Sequence, residues 1–241
     1  MRLLLLILLI AVCAIAVKTR YLIAVGARQS NNTHSFARPL SGTPLNILVI
    51  GDSTAVGVGA NTPAESPAGR LAQDFPHASI ENLGVNGART KDLIPQFESL
   101  KTQHFDIVMI HIGGNDIVRF TPLENLSEDI VTVLNNAKLI SPHVFLVTSG
   151  DVGTSQLLPF GTRWLFSWRT RQVRTVFMNA VSETNITYVD IYGGHQQDGD
   201  PYKASPNMYY SKDVFHPSSL GYENWYGYMR KSLVASGVLE K

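Results

Sequence analysis

Apolar residues along this chain form short unbroken runs, and most of these runs end in a glycine or a polar residue. Runs of about four to eight apolar residues without polar alternation are typical of strands that are covered on both faces of a parallel sheet. The pattern predicts strands at Asn46–Ile50, Ala78–Leu83, Phe105–Ile112, Val144–Thr148 and Ile186–Ile191.

Between the strands, apolar residues recur at the three- and four-residue spacing of amphipathic helices. The longest predicted helix, Leu123–Leu139, has an apolar stripe of Leu126, Ile130, Val133, Leu134 and Ala137. The other predicted helices are Pro67–Phe75 with Ser66 as N-cap, Thr90–Leu100, Trp168–Val181 and Ser219–Ala235, whereas Thr54–Glu65 and Gly193–Ser211 are predicted loops. This alternation predicts an α/β fold, a three-layer α/β/α sandwich around a five-stranded parallel sheet with flavodoxin-like topology.

The N-terminal segment contains no polar face. Leu3–Val17 is an unbroken apolar run behind Arg2, and Lys18 and Arg20 follow before apolar residues resume. The run is shorter than the ~20 residues that a spanning helix needs, so a cleaved signal peptide and an uncleaved anchor both fit residues 1–25. The two charges after the run weaken a simple export orientation, and we favour the anchor.

Residues 26–44 are rich in Asn, Ser, Thr, Gly and Pro and lack periodicity, so they are predicted to be a linker. Residues 45–241 are then the folded domain. This organisation predicts a protein that is anchored in the membrane, or exported to the periplasmic or extracellular side of a bacterial-type cell.

The composition excludes several classes of partner and site. A formal net charge of +1, with charged residues at 16%, gives no sign of a polyanion partner, and we expect no nucleic-acid binding. The single cysteine, Cys13, excludes an internal disulfide framework and a multi-cysteine metal site. Most of the seven histidines fall in turns or at element ends, and His111 inside the third strand is predicted to be a core residue.

Ser53 follows the first strand at the edge where open α/β sheets bind ligands, after a tight turn that Gly51 permits. A serine hydroxyl is a weak nucleophile until a base takes its proton. His216, directly before the last helix, is the candidate base. Asp213, three residues upstream, can accept a hydrogen bond from Nδ1–H and leave Nε2 free for the serine proton.

Gly87 and Asn115 follow the second and third strands. The backbone N–H of Gly87, the side-chain amide of Asn115 and the N–H of Ser53 can together stabilise an oxyanion. Each such donor contributes ~3–4 kcal/mol in acyl transfer. Taken singly, the glycine is better explained by a tight bend and the asparagine by a turn.

Four short blocks, in a fixed order, carry a family resemblance. They are Gly51-Asp52-Ser53, Asn86-Gly87, Gly113-Gly114-Asn115-Asp116 and Asp213-Val214-Phe215-His216-Pro217. Together they resemble the SGNH (GDSL-type) hydrolase superfamily over about residues 45–233. Thr54 departs from the pattern, because many relatives carry an apolar residue there, and this affects the shape of the pocket more than the chemistry.

The resemblance implies a role for each candidate residue. Ser53 would be the nucleophile, His216 its base and Asp213 the carboxylate that orients the base. The backbone N–H groups of Ser53 and Gly87, with the amide of Asn115, would form the oxyanion hole. The implied reaction is hydrolysis of an ester or thioester through an acyl-enzyme, and it requires no metal and no cofactor.

The substrate and the reaction class stay open at this stage. The superfamily's range implies a small-molecule, lipid or acylated-glycan ester, and it includes acyltransferases and carbohydrate O-deacetylases with the same triad. A non-catalytic, membrane-tethered binding module is a third class. A nucleotide-binding domain is weaker because no phosphate-type glycine-rich loop is present. Two aromatic segments, Leu157–Trp168 and Tyr202–Tyr210, are candidates for contact with substrate or lipid, and core packing explains the first equally well.

Overall fold

Five parallel strands form one sheet in the order β2-β1-β3-β4-β5. The computed structural model describes residues 1–42, 45–182 and 184–240. The strands are β1 Asn46–Gly51, β2 Ser79–Gly84, β3 Ile107–His111, β4 His143–Thr148 and β5 Thr187–Asp190. This is the flavodoxin-like order of a doubly wound sheet. The predicted fold and all five predicted strands are confirmed, with ends that differ by up to two residues.

Helices cover both faces of the sheet and carry the connections between strands. They are α1 Arg2–Asn32, α2 Ser53–Val56, α3 Pro67–Asp74, α4 Ile94–Ser99, α5 Gly114–Val118, α6 Leu123–Ile140, α7 Arg163–Val181, α8 Ile191–Asp198, α9 Pro201–Ala204, α10 Pro206–Tyr209 and α11 Ser219–Ala235. Short 3₁₀ turns lie at Pro63–Glu65, Thr90–Leu93, Val152–Thr154 and Phe160–Thr162.

Two apolar clusters fill the space between the sheet and its two helical layers. Alternate strand residues such as Leu48 and Ile110 pack toward α6 and α7, where the predicted stripe of α6 is fully buried. Their neighbours Val49 and Met109 pack toward α3 and α11. Burial of both strand faces is the physical reason why the strands lack polar alternation.

Two of the predicted loops contain helices, and this part of the prediction is wrong. The segment Thr54–Glu65 begins with most of α2 and ends in a 3₁₀ turn, and Gly193–Ser211 contains most of α8 with α9 and α10. Aspartate side chains cap these short helices: Asp52 caps α2, Asp190 caps α8, and Asp200 caps α9. Helices of one or two turns have too few residues to show an apolar period.

The N-terminal helix α1 is longer than the predicted membrane segment. It continues to Asn32, so residues 26–32 of the predicted linker are helical. Its most apolar 18-residue window has a mean hydropathy of 2.4, and none of that window is buried against the protein. Within the described residues it is the one helix long and apolar enough to cross a membrane, and a signal sequence at the same place meets the same criteria.

Candidate active site

Ser53 follows the carboxyl end of β1 and lies at the edge of the sheet. Gly51 has φ +145°, and a Cβ at this position would lie 1.9 Å from the carbonyl oxygen of His111, so only glycine fits. Asp52 then caps α2 by accepting hydrogen bonds of 2.8 Å from the backbone N–H and the hydroxyl of Thr54. Ser53 is the first residue of α2 and is largely buried beside the pocket described below.

His216 lies within hydrogen-bond distance of Ser53 although 163 positions separate them in the chain. The distance between His216 Nε2 and Ser53 Oγ is 3.0 Å. The turn that presents the ring is closed by a 2.8 Å bond from the N–H of Ser211 to the carbonyl of His216. Val214, at φ +53°, has the left-handed backbone conformation inside this turn.

Asp213 contacts the other nitrogen of the same ring. Its Oδ2 lies 2.5 Å from His216 Nδ1, while its Oδ1 accepts bonds from the Ser211 hydroxyl and from the backbone N–H groups of Phe215 and His216. Burial by itself raises the pKa of Asp213, but the hydrogen bond and charge of His216 and the bond from Ser211 outweigh it, so the pKa lies below its usual value. An ionised Asp213 favours the tautomer with the proton on Nδ1 and leaves Nε2 facing the serine.

Asn115, a candidate oxyanion donor, is hydrogen-bonded to the segment that carries Gly87, another candidate donor. Asn115 lies in the first turn of α5, and its amide Nδ2 donates a 3.1 Å bond to the carbonyl of Ala88. Nδ2 carries two hydrogens, so one N–H stays available for a ligand. Gly87 precedes Ala88 and has φ +79°, a conformation that favours glycine.

Asp116 connects these two strand exits, and sequence reasoning gave it no role. Its Oδ2 accepts bonds from the backbone N–H of Thr90 at 3.0 Å and from the Thr90 hydroxyl at 2.8 Å. Its Oδ1 accepts a 2.8 Å bond from Thr121. The buried carboxylate therefore fixes the segment after β2 against the segment after β3, which sets the spacing between Gly87 and Asn115. Asp116 is the last residue of the third sequence block, and this position is the one sequence feature that could have indicated a role for it.

Asp52 is the second acid whose role the sequence did not indicate. It is almost completely buried, and a Cβ at Gly114 would lie 3.7 Å from its Oδ2. Burial raises its pKa to about 6, although the hydrogen bonds from Thr54 and the nearby His216 oppose the rise. This carboxyl, next to the candidate nucleophile in the chain, is therefore partly protonated at pH values near 6.

A pocket opens beside these residues. Its lining includes Ser53, Asn115 and His216, together with residues that follow β4 or belong to the segments of α8, α9 and α11. Tyr202 and Tyr210, from the second predicted aromatic segment, line it. From the first segment, Trp164 and Trp168 are 69% and 44% exposed and do not line it. Across residues 1–42, 45–182 and 184–240, no cluster of three or more His, Cys, Asp or Glu side chains is arranged to hold a metal ion.

The last turns of α1 pack against the loop that carries Asp213. A Cβ at Gly26 would lie 2.9 Å from Asp213 Oδ2, so the absence of a side chain permits this close approach. The Ser211 hydroxyl oxygen lies 3.3 Å from Gln29 Oε1, and the Asn86 side chain donates a 3.0 Å bond to the carbonyl of Ser30. The helix therefore contacts two of the four sequence blocks.

Comparison with known proteins identifies the family of this chain. The model of the GDSL-like lipase/acylhydrolase family matches residues 49–223. A GDSL-like esterase, Rv1075c of Mycobacterium tuberculosis (strain ATCC 25618 / H37Rv), is 23% identical over 185 residues. That alignment covers 74% of this chain but only 58% of the relative, so the chain spans less than two thirds of the relative's length.

Solved structures share the fold. A member of the lipolytic protein G-D-S-L family from Veillonella parvula DSM 2008 superposes with a TM-score of 0.61 at 16% identity, over 77% of this chain and 96% of the other. Axe2, an acetylxylan esterase from Geobacillus stearothermophilus, superposes with a TM-score of 0.57 at 20% identity, over 80% of this chain and 95% of the other. At these identities the likeness concerns the fold.

Proposed function

Because this chain belongs to the GDSL-like lipase/acylhydrolase family, we propose that it hydrolyses carboxylic esters through an acyl-enzyme on Ser53. The observation that carries the proposal is one continuous hydrogen-bonded series. Ser53 Oγ lies 3.0 Å from His216 Nε2, and His216 Nδ1 lies 2.5 Å from Asp213 Oδ2. A nucleophile within reach of a base, with the base oriented by a third group, is the arrangement that activates a serine.

In the acylation step, Ser53 Oγ attacks the ester carbonyl while its proton moves to His216 Nε2. The carbonyl oxygen becomes an oxyanion, which the N–H groups of Ser53 and Gly87 and the amide of Asn115 stabilise. His216 then protonates the departing alcohol as the tetrahedral intermediate collapses. Asp213 stays ionised throughout and stabilises the imidazolium that forms in between.

Deacylation repeats these steps with water as the nucleophile. Neutral His216 takes a proton from water, the hydroxide attacks the acyl carbonyl, and Ser53 leaves as the protonated alcohol. The protons balance over the cycle, and none of its steps involves a metal or cofactor. An alcohol that replaced water in this step would make the enzyme an acyltransferase.

The test compares Ser53→Ala with wild type on 4-nitrophenyl acetate and with a fluorophosphonate label. Wild type should turn over and become labelled, and Ser53→Ala should do neither above background. Ser99→Ala, an exposed serine on α4, is the matched control and should behave like wild type. Turnover by Ser53→Ala at the wild-type rate would refute an acyl-enzyme mechanism on Ser53. Product that forms only when an alcohol acceptor is added would identify acyl transfer instead.

We also propose that α1 anchors the protein in a membrane, with the catalytic domain on the periplasmic or extracellular side. The 31 residues of α1 are about 46 Å long at 1.5 Å per residue, which exceeds the ~30 Å of a hydrocarbon core. The excess is the part that contacts the Asp213 loop. Elsewhere the domain exposes the apolar side chains of Val85, Phe120, Trp164 and Trp168.

The intact mass of the protein recovered from membranes tests the anchor. An uncleaved chain that resists extraction at high pH, and whose domain is digested by protease added outside the cell membrane, is the expected result. A mature protein that lacks its first residues, for instance through cleavage after Ala16, would show that the segment is a signal peptide. Protection of the domain from the protease would place it on the cytoplasmic side.

A further inference from the structure

The end of α1, residues 22–32, lies against the catalytic domain by one face. Leu22 is 8% exposed, whereas the preceding Tyr21 is 67% exposed. Gly26 and Gln29 follow Leu22 at intervals of four and three residues, so they share its face of the helix, and both are partly buried. We call residues 22–32 the docked segment.

At Gly26 the docked segment meets the oxygen of Asp213 that orients the base. A Cβ at Gly26 would have its three nearest neighbours in Asp213, with Oδ2 closest at 2.9 Å. The same oxygen lies 2.5 Å from His216 Nδ1. An ordinary contact of a methyl group needs at least 3.4 Å, so a side chain here would displace Oδ2 or the helix. The backbone of α1 at Gly26 thus limits where the Asp213 carboxylate can lie while it binds His216.

Gln29 is connected to the second oxygen of Asp213 through Ser211. The Ser211 hydroxyl donates a 2.8 Å bond to Asp213 Oδ1, and this bond uses its one hydrogen. Gln29 Oε1 lies 3.3 Å from the same hydroxyl oxygen, which can now only accept. A half-turn of the Gln29 amide about its terminal torsion brings its NH2 group to Ser211 and makes it the donor. Gln29, Ser211 and Asp213 then form one series of hydrogen bonds that ends at His216.

The last turn of the docked segment contacts the strand exit that carries a candidate oxyanion donor. Ser30 is among the last four residues of α1, whose carbonyls lack partners within a helix. The Asn86 side chain donates a 3.0 Å bond to the Ser30 carbonyl. Asn86 directly precedes Gly87, so this bond connects the helix to the segment that presents the Gly87 N–H.

We propose that the docked segment positions the catalytic groups, and that Gly26 and Gln29 are positioning residues for Asp213. This inference rests on the proposed esterase function and gives α1 a part in it besides the proposed membrane attachment. Neither residue lines the pocket beside Ser53, so their effect is on kcat rather than on substrate binding. Cleavage after Ala16 would leave both residues in place.

The first test substitutes Gly26 in the complete chain and measures hydrolysis of 4-nitrophenyl acetate in detergent. Alanine favours a helix over glycine by about 1 kcal/mol, so Gly26→Ala does not weaken α1 itself. Its methyl group should lower kcat about 10–10²-fold at nearly constant KM, because a misplacement of about 1 Å can cost 10²-fold. Ala27→Leu adds a larger group at the adjacent exposed position and should keep the wild-type kcat.

A double-mutant cycle tests the series of hydrogen bonds through Ser211. Gln29→Met keeps the length of the side chain without its amide, and it should lower kcat by about three- to tenfold, the effect of one hydrogen bond. The loss should disappear in a Ser211→Ala background, where the amide has no hydroxyl to bind. Asn31→Met, at an exposed position of the same helix, is the matched control and should keep the wild-type kcat.

The tautomer of His216 provides a measurement that needs no substrate. Ring ¹⁵N chemical shifts show which nitrogen carries the proton at mildly alkaline pH, where histidine rings are neutral, and His216→Gln assigns the signals. Wild type should carry the proton on Nδ1. Gly26→Ala should increase the share of rings with the proton on Nε2, because the displaced Asp213 no longer fixes Nδ1–H, and Ala27→Leu should not.

The positioning role is refuted if Gly26→Ala and Gln29→Met both keep the wild-type kcat, if Ala27→Leu and Asn31→Met lose as much, or if Gly26→Ala keeps the wild-type tautomer. Thermal melting confirms that each variant is folded. A wild type that hydrolyses no ester would refute the proposed esterase function instead. The tautomer measured in Gly26→Ala would still decide whether the docked segment positions the Asp213 carboxylate against the ring.

Discussion

His111 is the buried group whose titration should be visible in the stability of the fold. It lies in the central strand β3, is 1% exposed, and among the described residues neither ring nitrogen has a hydrogen-bond partner. Burial disfavours its charged form and lowers its pKa from 6.5 to about 4. In the folded protein the ring is therefore neutral under all but acidic conditions.

The sign of the effect follows from proton binding. Between pH 6.5 and about 4, the unfolded chain carries a proton on His111 that the folded chain does not. Stability is therefore complete above pH 6.5 and falls as the pH drops toward 4, where the loss levels off. The gap between the two pKa values corresponds to roughly 3 kcal/mol. For a protein of this size, that is a shift of about 6–12 °C in melting temperature.

We predict that His111→Leu removes this loss. Melting temperatures of wild type and variant, both in detergent, are measured from pH 4 to pH 8. The change in packing shifts the variant by the same amount at every pH, so the informative quantity is the difference between the two proteins. That difference should move in favour of the variant by about 6–12 °C between pH 7 and pH 4. His104→Leu, at an exposed position, should show no such trend. A difference for His111→Leu that does not vary with pH would refute the assignment of a desolvated ring.

Three further predictions concern the candidate site. Burial raises the pKa of Asp52 to about 6, so ionisation of this carboxyl destabilises the fold as the pH rises from 3.8 through 6. Asp52→Asn lacks this titration, and its stability relative to wild type should rise by roughly 3 kcal/mol between pH 4 and pH 7 in the same melting series. Asp213→Asn loses the charge that fixes the His216 tautomer, and kcat should fall about 10⁴-fold with a nearly unchanged KM, the effect this change has in serine proteases; a loss below tenfold would contradict that role. Asn115→Ala should lower kcat by about 10²–10³-fold, since one oxyanion donor is removed, and an unchanged kcat would exclude Asn115 from the hole.

Much of the fold follows from local pattern. The strands are continuous apolar runs because both faces of the sheet are covered, and the α6 stripe follows from its helical period. Ser66 accepts a bond from the N–H of Gly69, as its predicted N-cap position requires. The burial predicted for His111 is confirmed, because a residue inside a central parallel strand has no route to water.

Other features depend on contacts that no local pattern contains. Asp52 and Asp116 resemble ordinary turn residues in the sequence. Asp116 accepts a bond from Thr90, 26 positions away, and Asp52 lies near Gly114 and His216, which are 62 and 164 positions away. The contact between α1 and the Asp213 loop joins the two ends of the chain.

Ser53 and His216 show which properties of the site are encoded locally and which depend on the tertiary structure. The sequence by itself determined that each residue would follow a strand exit or precede the last helix, because strand and turn chemistry are encoded locally. Only the tertiary structure decided that their side-chain atoms lie 3.0 Å apart, with Asp213 on the far side of the ring. That distance depends on the order of the strands and on the packing of the whole sheet.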